Sequence, residues 1–402
     1  MPAQSRLKRV REHYHDVADI APAMKGPRAY WNWAIANLSM LLRTSRLRAR
    51  PLKLTFDPTN LCQLKCPLCP TGLRIQDRSA SQADLHIFEH LMQELGEYVF
   101  FIDFFNWGEP LLNKNLGPML QLAARNHIVS VISTNLSLPL SDERLHSLLT
   151  SGLSQIIVSI DGASQESYGT YRREGNFELA FENLRRLMAI KKQYGLTRPV
   201  VVWRFYVFRF NEHEIERAKQ LAAEIGVDRI VFGTPFLDEG RFPLSPADRE
   251  AMKQWASTLP EFNRYLPDHP EYEDPRAPVE KRTRCDWHYV STAINPDGSV
   301  APCCAVFEKA NDFGSVAGGA SYMDVVNNER FVAIRDRFAG RRAEPTGLVC
   351  EQCPTPVIMD YGKLLNRNIL MLTLVQLAEA ARRVFARGSR AQAAGDVATR
   401  ST

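Results

Sequence analysis

The chain has 402 residues, of which 45% are hydrophobic and 24% charged, with a formal net charge of +5. That is too much apolar material for a disordered chain and carries no repeat bias, so a packed fold is expected, with room for one domain of about 200–250 residues and a smaller one. No stretch reaches the roughly 18–20 apolar residues needed to cross a bilayer. The N-terminus lacks the apolar core of a secretory signal. A cytoplasmic location is therefore expected, where the eight cysteines stay thiols and serve metals or catalysis rather than disulfides.

The charge is segregated. Residues 1–53 hold 11 Lys/Arg against 3 Asp/Glu, and residues 360–402 hold 7 against 3. Residues 54–359 hold 32 against 39, so the body is acidic and the ends are basic. A nucleic-acid enzyme is expected to carry its basic stripe across the working body, which argues against DNA or RNA as a partner.

In chain order, Leu52–Phe56 reads as a strand followed by a Cys-rich loop, Ile87–Gly96 as a helix and Val99–Phe105 as a strand. Leu116–Arg125 (helix), Ile128–Ile132 (strand), Asp142–Thr150 (helix) and Gln155–Ile160 (strand) continue the alternation. Asn176–Tyr194 has the period of a long helix. Val200–Phe208 then reads as a strand, Glu212–Ile225 as a helix ended by Gly226, and Arg229–Phe232 as a strand. Six strand–helix units predict an α/β fold with a parallel sheet, and their length fits a partial (β/α)6 barrel of the TIM type, open on one side.

Residues 241–284 are rich in Pro and charge and read as a linker. Val290–Asn295 and Ser299–Ala301 read as two short strands around the turn Pro296-Asp297-Gly298. A helical segment follows from Leu364 to Ala386, then a polar tail. The expected division is a basic helical extension (1–50), the barrel (51–240), the linker (241–284), a small Cys-bearing domain (285–360) and a basic helical tail (361–402).

Directly after the first strand stands Cys62-x3-Cys66-x2-Cys69. Three thiolates on one tight loop can hold three irons of a [4Fe–4S] cluster and leave the fourth open to a ligand. A structural zinc site is the alternative, but closed zinc sites take four ligands, and the next histidine is His86. The spacing and its place in a β/α chain resemble the radical S-adenosylmethionine superfamily. In that family the open iron chelates the amino and carboxylate groups of the methionine part. An electron from the cluster then yields a 5′-deoxyadenosyl radical, which takes hydrogen from an unactivated C–H bond.

Further segments carry the same resemblance at successive strand ends, where a barrel keeps its active site. Asn106-Trp107-Gly108-Glu109-Pro110 is similar to the family's Gly-Gly-Glu-Pro segment, which receives the methionine ammonium, with Trp107 where the first Gly is usual. Ser133-Thr134-Asn135 resembles the Ser-Thr-Asn segment near the ribose and carboxylate, and Ser159-Ile160-Asp161-Gly162 the Ser-x-Asp-Gly segment. Arg172 falls where relatives place an arginine for the carboxylate, a role open also to adjacent Arg173. Leu68 stands where many members carry an aromatic that touches adenine. The resemblance covers about residues 54–236. Singly, each polar residue after a strand reads more often as a turn or helix cap than as a ligand.

A second set, Cys285, Cys303, Cys350 and Cys353, can satisfy every iron of one auxiliary [4Fe–4S] cluster. It resembles the C-terminal extension called SPASM in its shorter, single-cluster twitch form; a zinc knuckle is the alternative. Cys304 is left over: it can replace Cys303, pack as a small apolar residue or donate a hydrogen atom to a product radical.

The resemblance implies S-adenosylmethionine and an electron donor such as flavodoxin or ferredoxin. By its spacing the single-cluster extension resembles that of an aminocyclitol dehydrogenase, so the expected reaction is a two-electron oxidation of a sugar, cyclitol or other small metabolite. Residues 1–50 look too short and too helical for a peptide-recognition domain. A peptide maturase or epimerase is the first alternative, and a non-enzymatic two-zinc protein the second. Ala29–Leu42 with its arginine flank, and Leu364–Arg387, fit either helices packed on the barrel or helices in a membrane interface.

Overall fold

The computed structural model describes residues 17–235, 254–264, 266, 284–353 and 361–399, with side chains of the last helix described to Arg382. The polar tail expected after the last helix lies within it up to Thr399, where Ala, Arg and Gln favour helix.

After a helical stretch at 17–20 and α1 (Pro27–Leu41), the described chain alternates: β1 (Lys53–Phe56), α2 (Leu85–Leu95), β2 (Phe101–Asp103), α3 (Leu116–Arg125), β3 (Val129–Thr134), α4 (Asp142–Leu149) and β4 (Gln155–Ser159). A short helix α5 (Gln165–Tyr171) and α6 (Phe177–Gln193) lead to β5 (Val200–Tyr206), α7 (Ile215–Ile225) and β6 (Arg229–Gly233). Local chemistry sets these ends. Asp84, Ser141, Ser164 and Asn176 each accept a backbone N–H at a helix start, and Gly226 closes α7 at φ 75°.

β1 to β6 pair in parallel with their sequence neighbours and β6 ends the sheet, so the barrel stays open. The expected partial α/β barrel is borne out. One side of each strand (Leu54, Phe56, Ile102, Ile132, Ile156, Val158, Val201, Trp203, Phe205) packs under the helices in the main core. The alternate residues, among them Lys53, Thr55, Asp103, Ser133, Ser159, Arg204 and Tyr206, face the concave side by the period of two.

The sheet continues past β1. After α8 (Trp287–Val290), β7 (Ser291–Ile294) pairs in parallel with β1, Lys53 opposite Ser291 through Phe56 opposite Ile294. β8 (Ser299–Ala301) and β9 (Gly314–Ser315) add antiparallel, giving nine strands in the order β6-β5-β4-β3-β2-β1-β7-β8-β9. The Cys-bearing segment is thus grown onto the barrel's edge. Two helices unread in the sequence, α9 (Tyr322–Val326) and α10 (Glu329–Phe338), cover it.

α11 (Tyr361–Thr399) lies against α1, where Trp33 Nε1 donates to Asn366 Oδ1 (2.7 Å). Both pack with Leu52, Phe100, Val129 and Val290 at the amino ends of the strands. Of the segment read as a linker, residues 254–264 sit on the barrel: Trp255 packs edge-on to Phe210 at 5.4 Å, and Glu212 accepts from Ser257 Oγ at 2.6 Å. Apart from Leu266, the rest of 241–283 lies outside the described residues.

Candidate active site

β1 delivers the chain to Asp57, whose carboxylate accepts the Trp107 amide at 3.1 Å while its other oxygen is buried without a partner. Burial pushes this carboxyl up to about 7. The Cys62–Cys69 loop then turns above the strand. The Cys69 amide meets the Cys66 carbonyl (3.3 Å), and the Leu73 amide meets the Cys69 carbonyl (2.9 Å). The loop after β2 is pressed against it. The Glu109 amide donates to the Leu61 carbonyl at 2.8 Å, and a Cβ on Gly108 would stand 1.7 Å from the Thr59 carbonyl oxygen. Only glycine permits that approach.

Cys66 is buried, and Cys62 and Cys69 are half-buried. Burial first, then the Glu109 carboxylate and the neighbouring Cys66 and Cys69, push the Cys62 thiol up to about 12. Burial pushes Cys66 up to about 11, opposed by the Arg172 guanidinium. Desolvated sulfurs crowded together on one loop are a donor set that gains from a cationic cluster in place of protons, so these residues fit the group the spacing predicts.

Around the loop, the strand ends are tied to each other. Glu109 accepts the Leu111 amide (3.2 Å) and the Asn135 amide (2.8 Å), so both its oxygens clamp the loops after β2 and β3. Asn135 Nδ2 lies 3.9 Å from Cys62 Sγ, and its Oδ1 accepts from Gln63 at 2.8 Å. Ser133 and Ser159 meet at 3.2 Å on the concave face. Asp161 accepts the Tyr206 amide (2.7 Å) and the Arg172 Nε (2.6 Å), and Arg172 Nη1 reaches 3.9 Å from Cys66 Sγ. Arg173 is exposed, so Arg172 is the arginine on the site. Leu68 is half-buried between Cys66 and Cys69.

Arg204 was not read from the sequence. Its Nη2 donates to Ser133 Oγ (2.9 Å) and Ser159 Oγ (3.1 Å), closing a polar triad across β3, β4 and β5. An arginine in an otherwise apolar strand, on the opposite parity to Trp203 and Phe205, is the signal that marks it. Deeper on the concave face, Lys53 pairs with Asp103 at 2.5 Å beneath the Tyr361 ring.

The second cysteine set also converges. Cys303 and Cys350 are buried, and Cys285 and Cys353 half-buried. Burial pushes Cys285 up to about 12, with Cys353 its nearest sulfur influence. Cys303 and Cys350 are raised likewise, Cys303 by burial and then by Cys304, Cys350 and Cys285. A zinc ion needs its ligands on one centre, whereas each thiolate of a cubane takes a different iron. Among the described residues no three Cys, His, Asp or Glu side chains close on a single-ion site.

The two sites are latched together. With its amide oriented to satisfy both groups, Asn106 donates to the Cys304 carbonyl (3.1 Å) and accepts from Trp107 Nε1 (2.9 Å), and Trp107 meets Phe307 edge-on at 6.0 Å. Trp107 thus fills the position of the usual glycine with a bridge to the second cysteine segment. Arg78, beyond the first cysteine loop, holds Asp312 through two bonds (2.5 and 2.7 Å) and the Phe307 carbonyl (2.9 Å).

Three thiols after the first strand of an unclosed barrel, and four gathered on its edge, define a two-cluster iron–sulfur protein. The model of the radical SAM superfamily matches residues 56–222, and that of the SPASM iron–sulfur cluster-binding domain matches residues 285–354. The chain belongs to the radical S-adenosylmethionine superfamily and carries a SPASM-type auxiliary domain; its cofactors are S-adenosylmethionine and [4Fe–4S] clusters.

Among curated proteins it is 24% identical over 269 residues to the PqqA peptide cyclase of Gluconobacter oxydans, covering 64% of this chain and 72% of that protein. It is 25% identical over 288 residues to the antilisterial bacteriocin subtilosin biosynthesis protein AlbA of Bacillus subtilis, covering 69% of this chain and 60% of that one. Among solved structures, Streptococcus suis SuiB bound to S-adenosylmethionine matches with a TM-score of 0.52 at 15% identity, over 74% of this chain and 70% of that one. SuiB bound to its precursor peptide SuiA matches equally at 0.52, with 16% identity over 78% and 71%. These structural likenesses speak for the fold. No helix among the described residues is long and apolar enough to cross a membrane.

Proposed function

We propose that this chain is a radical S-adenosylmethionine maturase that acts on a C–H bond of a peptide. The observation that carries the substrate class is the pair of curated relatives, one named as a peptide cyclase and one as a bacteriocin biosynthesis protein. This departs from the sugar or cyclitol oxidation expected from the cysteine spacing, because the spacing of cluster ligands in the extension does not report substrate. The two-zinc alternative falls with the family assignment.

In this reading Cys62, Cys66 and Cys69 hold the cluster with the open iron, and Cys285, Cys303, Cys350 and Cys353 hold the auxiliary one. When bound, the first cluster and S-adenosylmethionine supply a 5′-deoxyadenosyl radical. The protein's share is binding, orientation and exclusion of water. Gly108 brings its loop's backbone against the cysteine loop for the methionine ammonium, and Arg172 faces Cys66 for the carboxylate. Glu109 and Asp161, whose oxygens already accept amide or guanidinium donors, act as positioning groups for Asn135 and Arg172. Ser133 and Ser159, held by Arg204, face the ribose side, and Leu68 the adenine side. Cys304, whose backbone carbonyl receives Asn106, is the candidate hydrogen donor. A ferredoxin or flavodoxin provides the electron, and net oxidation of the peptide follows if the auxiliary cluster takes the second electron.

The test is anaerobic turnover with reductant and two panels, synthetic peptides and cyclitols, each deuterated at carbon. Deuterium appearing in 5′-deoxyadenosine from a peptide supports the reading. Transfer from a cyclitol with none from any peptide overturns it.

A further inference from the structure

The faces of α1 and α11 turned away from the barrel carry exposed apolar side chains. On α1, Trp31 is 71% and Leu41 78% exposed; Trp31, Leu38 and Leu42 fall on one stripe, with Leu41 at its edge. On α11, Leu370, Leu374 and Leu377 recur at i, i+4 and i+7, each about half exposed. Both helices use another face on the body, through Ala29 and Ala36 on one and Leu365, Ile369 and Leu372 on the other. The seam between them is fixed by Trp33 with Asn366 and Tyr30 with Gln376. At about 100° per residue the α11 stripe falls next to that seam on the side away from the core, and the α1 stripe lies opposite both the seam and the core residues, so both stripes are turned outward.

The rim of these outward faces is basic. Residues 20–56 and 361–378 contain no Asp or Glu. Arg43, Arg46, Arg48, Lys363 and Arg367 are exposed, and Arg43 and Arg46 donate to the carbonyls of Phe338 and Asn327, contacts that leave their charge in place. Exposed large apolar side chains gathered on two adjoining helices, inside a basic rim, mark an interaction surface. A second copy of the chain would set two cationic rims against each other. An anionic lipid surface complements the rim and takes up the Trp and Leu side chains.

We propose that α1 and α11 dock the protein on an anionic lipid surface, both helices lying in its plane. Neither spans it, and the sheet's carboxyl-end loops then face away from the lipid. This inference is independent of the substrate class.

The experiment is flotation of the reconstituted full-length protein with vesicles of phosphatidylcholine, with and without phosphatidylglycerol. Binding is expected only with phosphatidylglycerol and is expected to weaken as salt rises. Trp31→Ser with Leu374→Ser, and separately Lys363→Glu with Arg367→Glu, are each expected to weaken it roughly tenfold or more, with unchanged circular dichroism and iron content. Absence of binding to anionic vesicles at low salt overturns the proposal. So does equal binding by the variants, or a concentration-dependent dimer that the apolar variant abolishes, which assigns the patch to a second copy.

Discussion

Arg172 and Asp161 form a buried ion pair at 2.6 Å whose other end lies against the Cys66 sulfur. The carboxylate is fully enclosed and also receives the Tyr206 amide, so it fixes the arginine from the β5 side of the barrel. A buried charge left without its partner is costly, whereas the pair itself adds little net stability. Arg172→Gln is therefore expected to lower the unfolding free energy by about 3–5 kcal/mol, read by urea denaturation. Adding Asp161→Asn is expected to restore part of that loss without restoring S-adenosylmethionine cleavage.

Gly108 makes a sharper test of geometry than of stability. Its missing Cβ lets the loop after β2 rest on the Thr59 carbonyl. Gly108→Ala forces the two loops apart at the cysteine site while leaving the core untouched. Cleavage of S-adenosylmethionine is expected to fall on the order of 100-fold, with a much smaller change in melting temperature.

The latch between the cysteine segments predicts a local unfolding phenotype. Arg78 and Asp312 are almost wholly enclosed, at 3% and 9% side-chain exposure. Arg78→Met strands the carboxylate, at a cost of about 3–5 kcal/mol. Limited proteolysis is expected to cut first within 299–315, with the barrel fragment persisting. Uniform cleavage along the chain contradicts the latch.

His288 sets an acid limit. Burial, with Arg335 as the second cause, pulls its imidazole down to about 3, against Phe331 and Phe338. The unfolded chain binds this proton at about 6.5 and the folded chain does not, so stability is lost as pH falls from about 6.5 toward 3. In apo protein, His288→Phe is expected to flatten that slope of unfolding free energy between pH 6.5 and 4. An unchanged slope counts against a neutral, enclosed His288.

The β/α alternation was legible because each element carries a local periodic trace. Leu116–Arg125 has identical ends in the sequence reading and the structure, since Leu116, Met119, Leu120 and Ala123 hold the helical spacing before Asn126. α5 was missed because Gln165–Tyr171 is short, polar and contains Gly169. The β7–β1 pairing was missed for a different reason: parallel partners from opposite ends of the chain leave no local signal of each other. At the site, residue identities were readable and directions were not. Asp161 reads as a ligand in sequence, yet its oxygens face Arg172 and Tyr206. Trp107 reads as a departure, yet it bridges to Phe307 and, through Asn106, to Cys304.

The central claim is that the loop carrying Cys62, Cys66 and Cys69 holds an incompletely ligated cluster that cleaves S-adenosylmethionine. The direct measurement is 5′-deoxyadenosine formed anaerobically with dithionite, alongside iron content, in the parent and in Cys66→Ala. The parent is expected to hold about eight irons and to form 5′-deoxyadenosine, and the variant to keep about four irons and form none. Undiminished 5′-deoxyadenosine from Cys66→Ala contradicts the account.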